Sequence, residues 1–214
     1  MPSHRVEQGE SLYSIAAQHK LARWEALRDH AGNRSLMQKR PHPQILHPGD
    51  VLQLPDAAEE GLPVALDGRT QFTRRAKNTQ PLSLTLRHVD GSPIANTPFR
   101  LEHDHGTVDG RTNGDGALDT EVPIGTRKCT LTAGAYVFEL QVAHLNPLRD
   151  TDDQGLSGCQ GRLRNLGFFA GEIDGRESPE LADAIGLFQV ANELPRTGKL
   201  DAATRDKLAA QHGC

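Results

Sequence analysis

Apolar positions in the first fifty residues follow a helical period and then an alternating one. Leu12, Ile15, Ala16 and His19 stand at i, i+3, i+4 and i+7 and predict one face of a helix. Ser11 can cap that helix, because its hydroxyl can accept one of the orphan N–H groups of the first turn. Gly9 marks a turn just ahead of it. A second helix is predicted over 22–33, with Trp24, Leu27 and Ala31 on one side and Gly32 or Asn33 at its end. "LHPGDVLQLP" then reads as a proline–glycine turn and a short strand, closed by Pro55. The predicted order over residues 1–56 is β-α-α-β.

Residues 57–80 have no clear period and read as a linker, in which Arg74, Arg75 and Lys77 make a solvated face. From 81 to 147 the pattern is strand-like. Leu82, Leu84 and Leu86 alternate with Ser83, Thr85 and Arg87, and Tyr136, Phe138, Leu140 and Val142 share a face near the end. Short strands separated by turn signals predict an antiparallel β-sandwich. A second linker is expected at 148–157. Helical spacing returns in 158–214. Cys159, Leu163 and Leu166 lie on one face, and so do Leu181, Ala184, Ile185 and Phe188. Ser178 is an N-cap followed by Pro179 at the first helical position and Glu180 near the positive helix end, and Asp201 caps a last helix bearing Thr204 and Leu208. The fold class expected is multidomain α+β.

Composition narrows the function classes. The 214 residues are 36% hydrophobic and 24% charged, with only 4% aromatic, so several small cores are expected rather than one large aromatic one. A formal charge of −4 gives no basic footprint for nucleic acid. No apolar run approaches the roughly 20 residues of a membrane helix, so no membrane insertion is expected. His4 and Arg5 are followed by Glu7, Gln8 and Glu10 rather than an apolar leader, which predicts synthesis in the cytoplasm without a signal peptide. Cys129, Cys159 and Cys214 form no C-x-x-C pair. They read either as three reduced thiols or as a Cys159–Cys214 disulfide stapling the last domain in an oxidising compartment. His103, Asp104 and His105, alternating along a strand, would put both imidazoles on one side, but a third ligand is missing, so no metal is expected. No nucleophile elbow, H-E-x-x-H helix or P-loop is present. No catalytic residue, enzyme activity or cofactor is therefore predicted.

Three stretches carry family resemblances. "VEQGESLYSIA" and "ILHPGDVLQLP" resemble the two ends of a LysM domain, with Glu10 where that family commonly has Asp and a longer "NRSLMQKRPHPQ" before the last strand. The resemblance implies a groove for N-acetylglucosamine chains between two loops, here Gly9, Glu10, Ser11 and Leu12, and Pro43, Gln44 and Ile45. Gly9 also serves simply as a turn, and Leu12 and Ile45 as core. "DGSPIANTPFRLE" with "GRTNGDGALDTEVP" resembles transthyretin-like sandwiches. "RLRNLGFFAGEIDG", "AIGLFQ" and "TGKLDAATRDKL" are similar to PG_binding_1, a family of three-helix peptidoglycan-binding domains, although Ser178 and Leu181 replace the family's usual Gly and Thr. That similarity points to Phe168, Phe169, Asp174, Gly175, Phe188 and Gln189 as ligand contacts, with Phe169 the best exposed aromatic. Asp174–Gly175 also reads as a turn and Phe188 as core.

Together the resemblances imply a non-catalytic peptidoglycan binder with two grips that gain avidity when both engage. The trio in one chain resembles small accessory proteins of contractile, type VI secretion machines, which would carry a toxin to the cell wall in the target periplasm. An alternative is a docking adaptor between a secreted toxin and a secretion spike protein, its wall binding vestigial. Another is an accessory to a cell-wall hydrolase.

Overall fold

The computed structural model describes residues 2–55 and 78–213. Most of the expected first linker, its Arg74, Arg75 and Lys77 face, and Cys214 lie outside the described residues. The chain divides into two compact units, one holding 1–2, 13–26 and 54–142 and the other 3–12, 27–53 and 143–214.

The first unit contains six strands: β3 (Thr79–Thr85), β4 (Pro98–His103), β5 (Gly106–Arg111), β6 (Ala117–Pro123), β7 (Lys128–Ala133) and β8 (Tyr136–Gln141). β3 pairs with β6, and the others form a sheet in the order β5-β4-β7-β8, all pairs antiparallel. The alternation read in the sequence sets which face is buried. Phe99, Leu101, Leu131 and Ala133 turn inward on the larger sheet, and Leu118 and Val122 on the smaller. Phe99 faces Gly110 across the β4–β5 pair, and a Cβ on that glycine would lie 2.5 Å from Phe99 Cζ, so the ring covers the glycine. The His103–His105 expectation is corrected here. The strand ends at His103, and Asp104–His105 make a two-residue turn into β5. The His105 N–H donates to His103 Nδ1 at 3.2 Å, a local bond that closes the turn.

In the second unit, β1 (Ser3–Arg5) pairs antiparallel with β2 (Val51–Gln53). Between them in the chain come α1 (Leu12–Gln18) and α2 (Glu25–Arg28), whose residues 13–26 belong to the first unit, then a 3-10 turn at Ala31–Asn33 and α3 (Arg34–Lys39). The single helix expected over 22–33 is thus broken, and "RSLMQK", read as part of a loop insertion, is helical. Asn33 causes the break. Its buried amide donates to Leu27 O at 2.8 Å and Gln53 O at 2.9 Å, and its Oδ1 accepts from Gln53 N at 2.7 Å. The Leu27 carbonyl is taken by a side chain instead of the next helical turn, a known route by which asparagine competes with helix.

Three helices complete this unit: α4 (Leu156–Asn165), α5 (Pro179–Ala191) and α6 (Ala202–His212). Residues 148–157 are not a spacer. Leu148 is buried in the helical core, Thr151 and Asp153 accept hydrogen bonds from Gly155 N, and Asp153 also accepts from Ser157 N at the start of α4. Gly155 and Gly158 let this stretch lie against the helix. A Cβ on either would come within 2.0 Å of Leu148 O or 2.2 Å of Pro147 O.

A buried arginine ties the early and late parts of the unit together. Arg40 is 3% exposed. It forks onto Asp50 at 2.9 and 3.2 Å, and donates to the carbonyls of Arg149 at 3.1 Å and Asp150 at 2.5 Å. Arg is suited to this, because its planar fork serves a carboxylate and further acceptors at once.

Candidate functional site

The helical domain closes around Leu148, Cys159, Leu163, Phe169, Leu181, Ala184, Ile185, Phe188 and Leu208. Its helices start where the sequence signals put them. Ser178 Oγ accepts from Leu181 N at 3.1 Å, and Asp201 Oδ1 from Thr204 N at 2.9 Å. Cys159 is fully buried, and desolvation pushes its thiol up to about 12, so it is inert as a nucleophile. Its expected disulfide partner, Cys214, lies outside the described residues.

Two buried glutamines hold the loops of this domain. Gln160 on α4 donates through Nε2 to Asp174 Oδ1 at 2.9 Å and Arg176 O at 3.1 Å, and its Oε1 accepts from Gly175 N at 2.8 Å. Gln189 on α5 does the same for the loop before α6. Its Nε2 faces Thr197 Oγ1, Lys199 O and Thr204 Oγ1 at 2.8–3.1 Å, and its Oε1 accepts from Thr197 N and Gly198 N at 2.8 and 3.0 Å. In the sequence Gln160 carried no signal, because a polar residue on an apolar helix face looks like a solvated position until the loop it binds is known.

The six predicted ligand residues therefore part company. Phe169 is 8% exposed and belongs to the core, not to the surface as expected; its ring lies over Gly171, where a Cβ would come 2.5 Å from Cζ. Phe188 is core as well, and Gln189 is 0% exposed and occupied by the loop. Phe168 is half-buried, edge-on to Phe188 at 5.5 Å between centroids. Asp174 is exposed, and the hydrogen bond from Gln160, then that from Arg176 N, hold its carboxyl below the usual range. Gly175 takes φ +70, where a Cβ would lie 2.8 Å from Asp153 Oδ2. The surface that remains is the 168–175 loop, with Phe168, Asp174 and the exposed Ile173, a residue the sequence reading passed over.

The two loops at the N-terminal end do meet. Leu12 N donates to Pro43 O at 2.9 Å, which brings Gly9–Leu12 beside Pro43–Ile45. Ser11, Leu12 and Ile45 are buried. Glu10 Oε2 bonds His4 Nε2 and accepts from Glu7 N, both at 2.8 Å. The positive φ of Gly9 confirms it as a turn glycine. His144 lies against it, 3.2 Å from where a Cβ would be, and Gln8 Nε2 donates to His144 O at 3.3 Å. Gln44 stands half-buried beside Pro43.

His212 makes the domain sensitive to acid. Burial, and then the positive charge of Arg162, lower it from its ordinary 6.5 to about 4, and Asn165 Nδ2 donates to its Nε2 at 2.9 Å. The folded ring stays neutral while the unfolded one takes a proton below pH 6.5. Its stabilising effect is thus full above 6.5 and lost as pH falls towards 4, by at most about 3 kcal/mol. Urea melts at pH 7 and 4.5 should show this loss. His212→Gln should flatten the slope, and an unchanged slope in that variant would rule the ring out as its source.

Among the described residues, no group of three or more His, Cys, Asp or Glu could hold a metal, and no helix is long and apolar enough to cross a membrane. Three helices around one small core, with their loops stapled by buried amides, define a helical module. Residues 154–208 match the family model PG_binding_1, "Putative peptidoglycan binding domain". No curated protein and no solved structure matches the chain.

Proposed function

We propose that this protein is a non-catalytic peptidoglycan binder. The observation that carries the reading is the family match over 154–208 on a complete three-helix domain. The exposed 168–175 loop gives the domain a surface on which Ile173 and Phe168 offer apolar contact and Asp174 a fixed polar group. The β1–β2 pair and the adjoining Gly9–Leu12 and Pro43–Ile45 loops support a LysM-like second grip for N-acetylglucosamine chains. The antiparallel strands of 78–142 support a transthyretin-like sandwich that docks a protein. On this reading the chain is made in the cytoplasm and serves as an accessory or carrier for a toxin that a type VI machine delivers to the cell wall.

Purified sacculi should retain the protein without losing turbidity. Ile173→Asp should weaken retention about fivefold at unchanged melting temperature, a cost of about 1 kcal/mol. No retention would sink the binding reading, and clearing of the sacculi would make the protein a hydrolase.

One observation favours the adaptor alternative for the N-terminal end. His144 sits against Gly9, where a sugar would need close backbone approach. If His144→Gly raises retention, the groove is a covered grip. If retention does not move and a spike protein co-purifies with the chain, the adaptor reading holds.

A further inference from the structure

An open surface depression with about 410 Å³ of accessible space lies where residues 149–151 pass the start of α6, lined by Arg149, Asp150, Thr151, Gln154, Ala202 and Arg205. Half of this lining precedes the stretch matched by the family, which begins at 154. The site thus joins residues inside the matched stretch to residues just before it.

Its walls are held from behind. Arg40 grips the Arg149 and Asp150 carbonyls, and Asp150 takes φ +56, a strained value for a residue with a side chain. Arg205 is oriented by Nε donating to Leu148 O at 3.1 Å and Nη2 to Gln154 O at 3.0 Å. Arg149 Nη2 donates to Asp206 Oδ1 at 2.5 Å, with the side chain 57% exposed. A guanidinium has five N–H donors, so these bonds orient both groups and leave donor capacity for a ligand. Ala202 opens the eleven-residue α6, whose positive end is already capped by Asp201, so the positive charge offered to a ligand is that of the two guanidiniums. Asp150 is the acidic group of the lining, and Asp206, outside the lining, pairs with Arg149.

Peptidoglycan glycan is built of neutral N-acetyl sugars, which can accept hydrogen bonds from two arginines but offer them no charged partner. Its stem peptides end in free carboxylates and carry an ammonium on their diamino acid. Guanidinium–carboxylate pairing is short, charge-assisted and directional, and a depression of this size suits a small ligand. We propose that this depression takes the zwitterionic end of a stem peptide, with carboxylate at Arg149 and Arg205 and ammonium at Asp150. The proposal rests on the wall-binding reading and adds the peptide as the part recognised.

The test is calorimetry of the full chain with the tripeptide L-alanyl-γ-D-glutamyl-L-lysine as free acid and with its carboxyls amidated. The free acid should bind, and the amide at least about tenfold more weakly. Arg149→Glu and the milder Arg149→Gln should lose the acid by a similar factor while melting like the parent. No binding of the acid, equal binding of acid and amide, or unchanged binding by both variants would overturn the proposal. Sacculus retention on the same preparations separates the two readings. Retention with no peptide binding removes only the peptide site, and peptide binding with no retention removes only the wall-binding function.

Discussion

Replacing Arg40 by Met is expected to destabilise the protein by about 3–5 kcal/mol, the range for breaking a buried ion pair from one side. The substitution keeps most of the apolar stem and removes the guanidinium. It leaves Asp50, whose side chain is 11% exposed, without its fork, and leaves the Arg149 and Asp150 carbonyls without their donors. Asp50 would retain only what its other contacts give, among them the His47 N–H at 2.9 Å. Arg40→Lys should recover part of the loss at most, because an ammonium cannot meet a carboxylate side-on and two carbonyls together. Urea unfolding measures the effect as a lower midpoint at similar slope. Asp50→Asn alone, and combined with Arg40→Met, gives the coupling between the two. If Arg40→Met lies within about 0.5 kcal/mol of the parent, as surface substitutions do, Arg40 is not a structural tie.

Gln189→Leu is expected to cost about 2–4 kcal/mol. The leucine fills most of the volume but takes the Gln189 partner from five groups, the Thr197 and Gly198 N–H groups, the Lys199 carbonyl, and the Thr197 and Thr204 hydroxyls, which each keep a bond to Asp201. Each buried group left unpaired costs roughly 1–3 kcal/mol. Residues 197–199 are exposed enough to recover some partners from water, which keeps the sum below five full penalties. Thr204 is fully buried and keeps its bond to Asp201 Oδ1 at 2.7 Å. Gln189→Glu should be as damaging, since its oxygens would face the Lys199 carbonyl. Thermal melts give the stability loss. Sacculus retention, scaled to folded protein, should stay at the parent level, because Gln189 has no surface to offer. A folded Gln189 variant that no longer binds sacculi would return this residue to the ligand contacts.

Local signals proved dependable and long-range ones did not. Ser178 and Asp201 were legible as caps because a cap's partner lies three residues away. Leu181, Ala184, Ile185 and Phe188 were legible because one period places them all on one face. The strand alternations at 82–86 and 136–142 succeeded for the same reason. Phe169 was misplaced because adjacent loop aromatics have no period to say which turns inward. The broken helix at Asp29–His30 depends on Asn33 bonding Gln53, twenty residues on. Gln160 and Gln189 are understood only through the loops they hold, and the Arg149–Arg205 site needs residues from far apart in the chain, brought together in part by the Arg205–Leu148 bond across 57 positions.

The tie at Arg40 also sets an order of events during synthesis. Its two carbonyl partners lie 109 and 110 residues downstream, beyond all six strands of the intervening unit. At typical translation rates of about 5–20 residues per second, Arg40 waits on the order of 5–20 s for them to be made. During that interval residues 3–53 hold a charged side chain destined for burial with half its bonds unmade. The site around Arg40 is therefore completed late although its own segment is made before the strands, which have time to fold before the two carbonyls arrive.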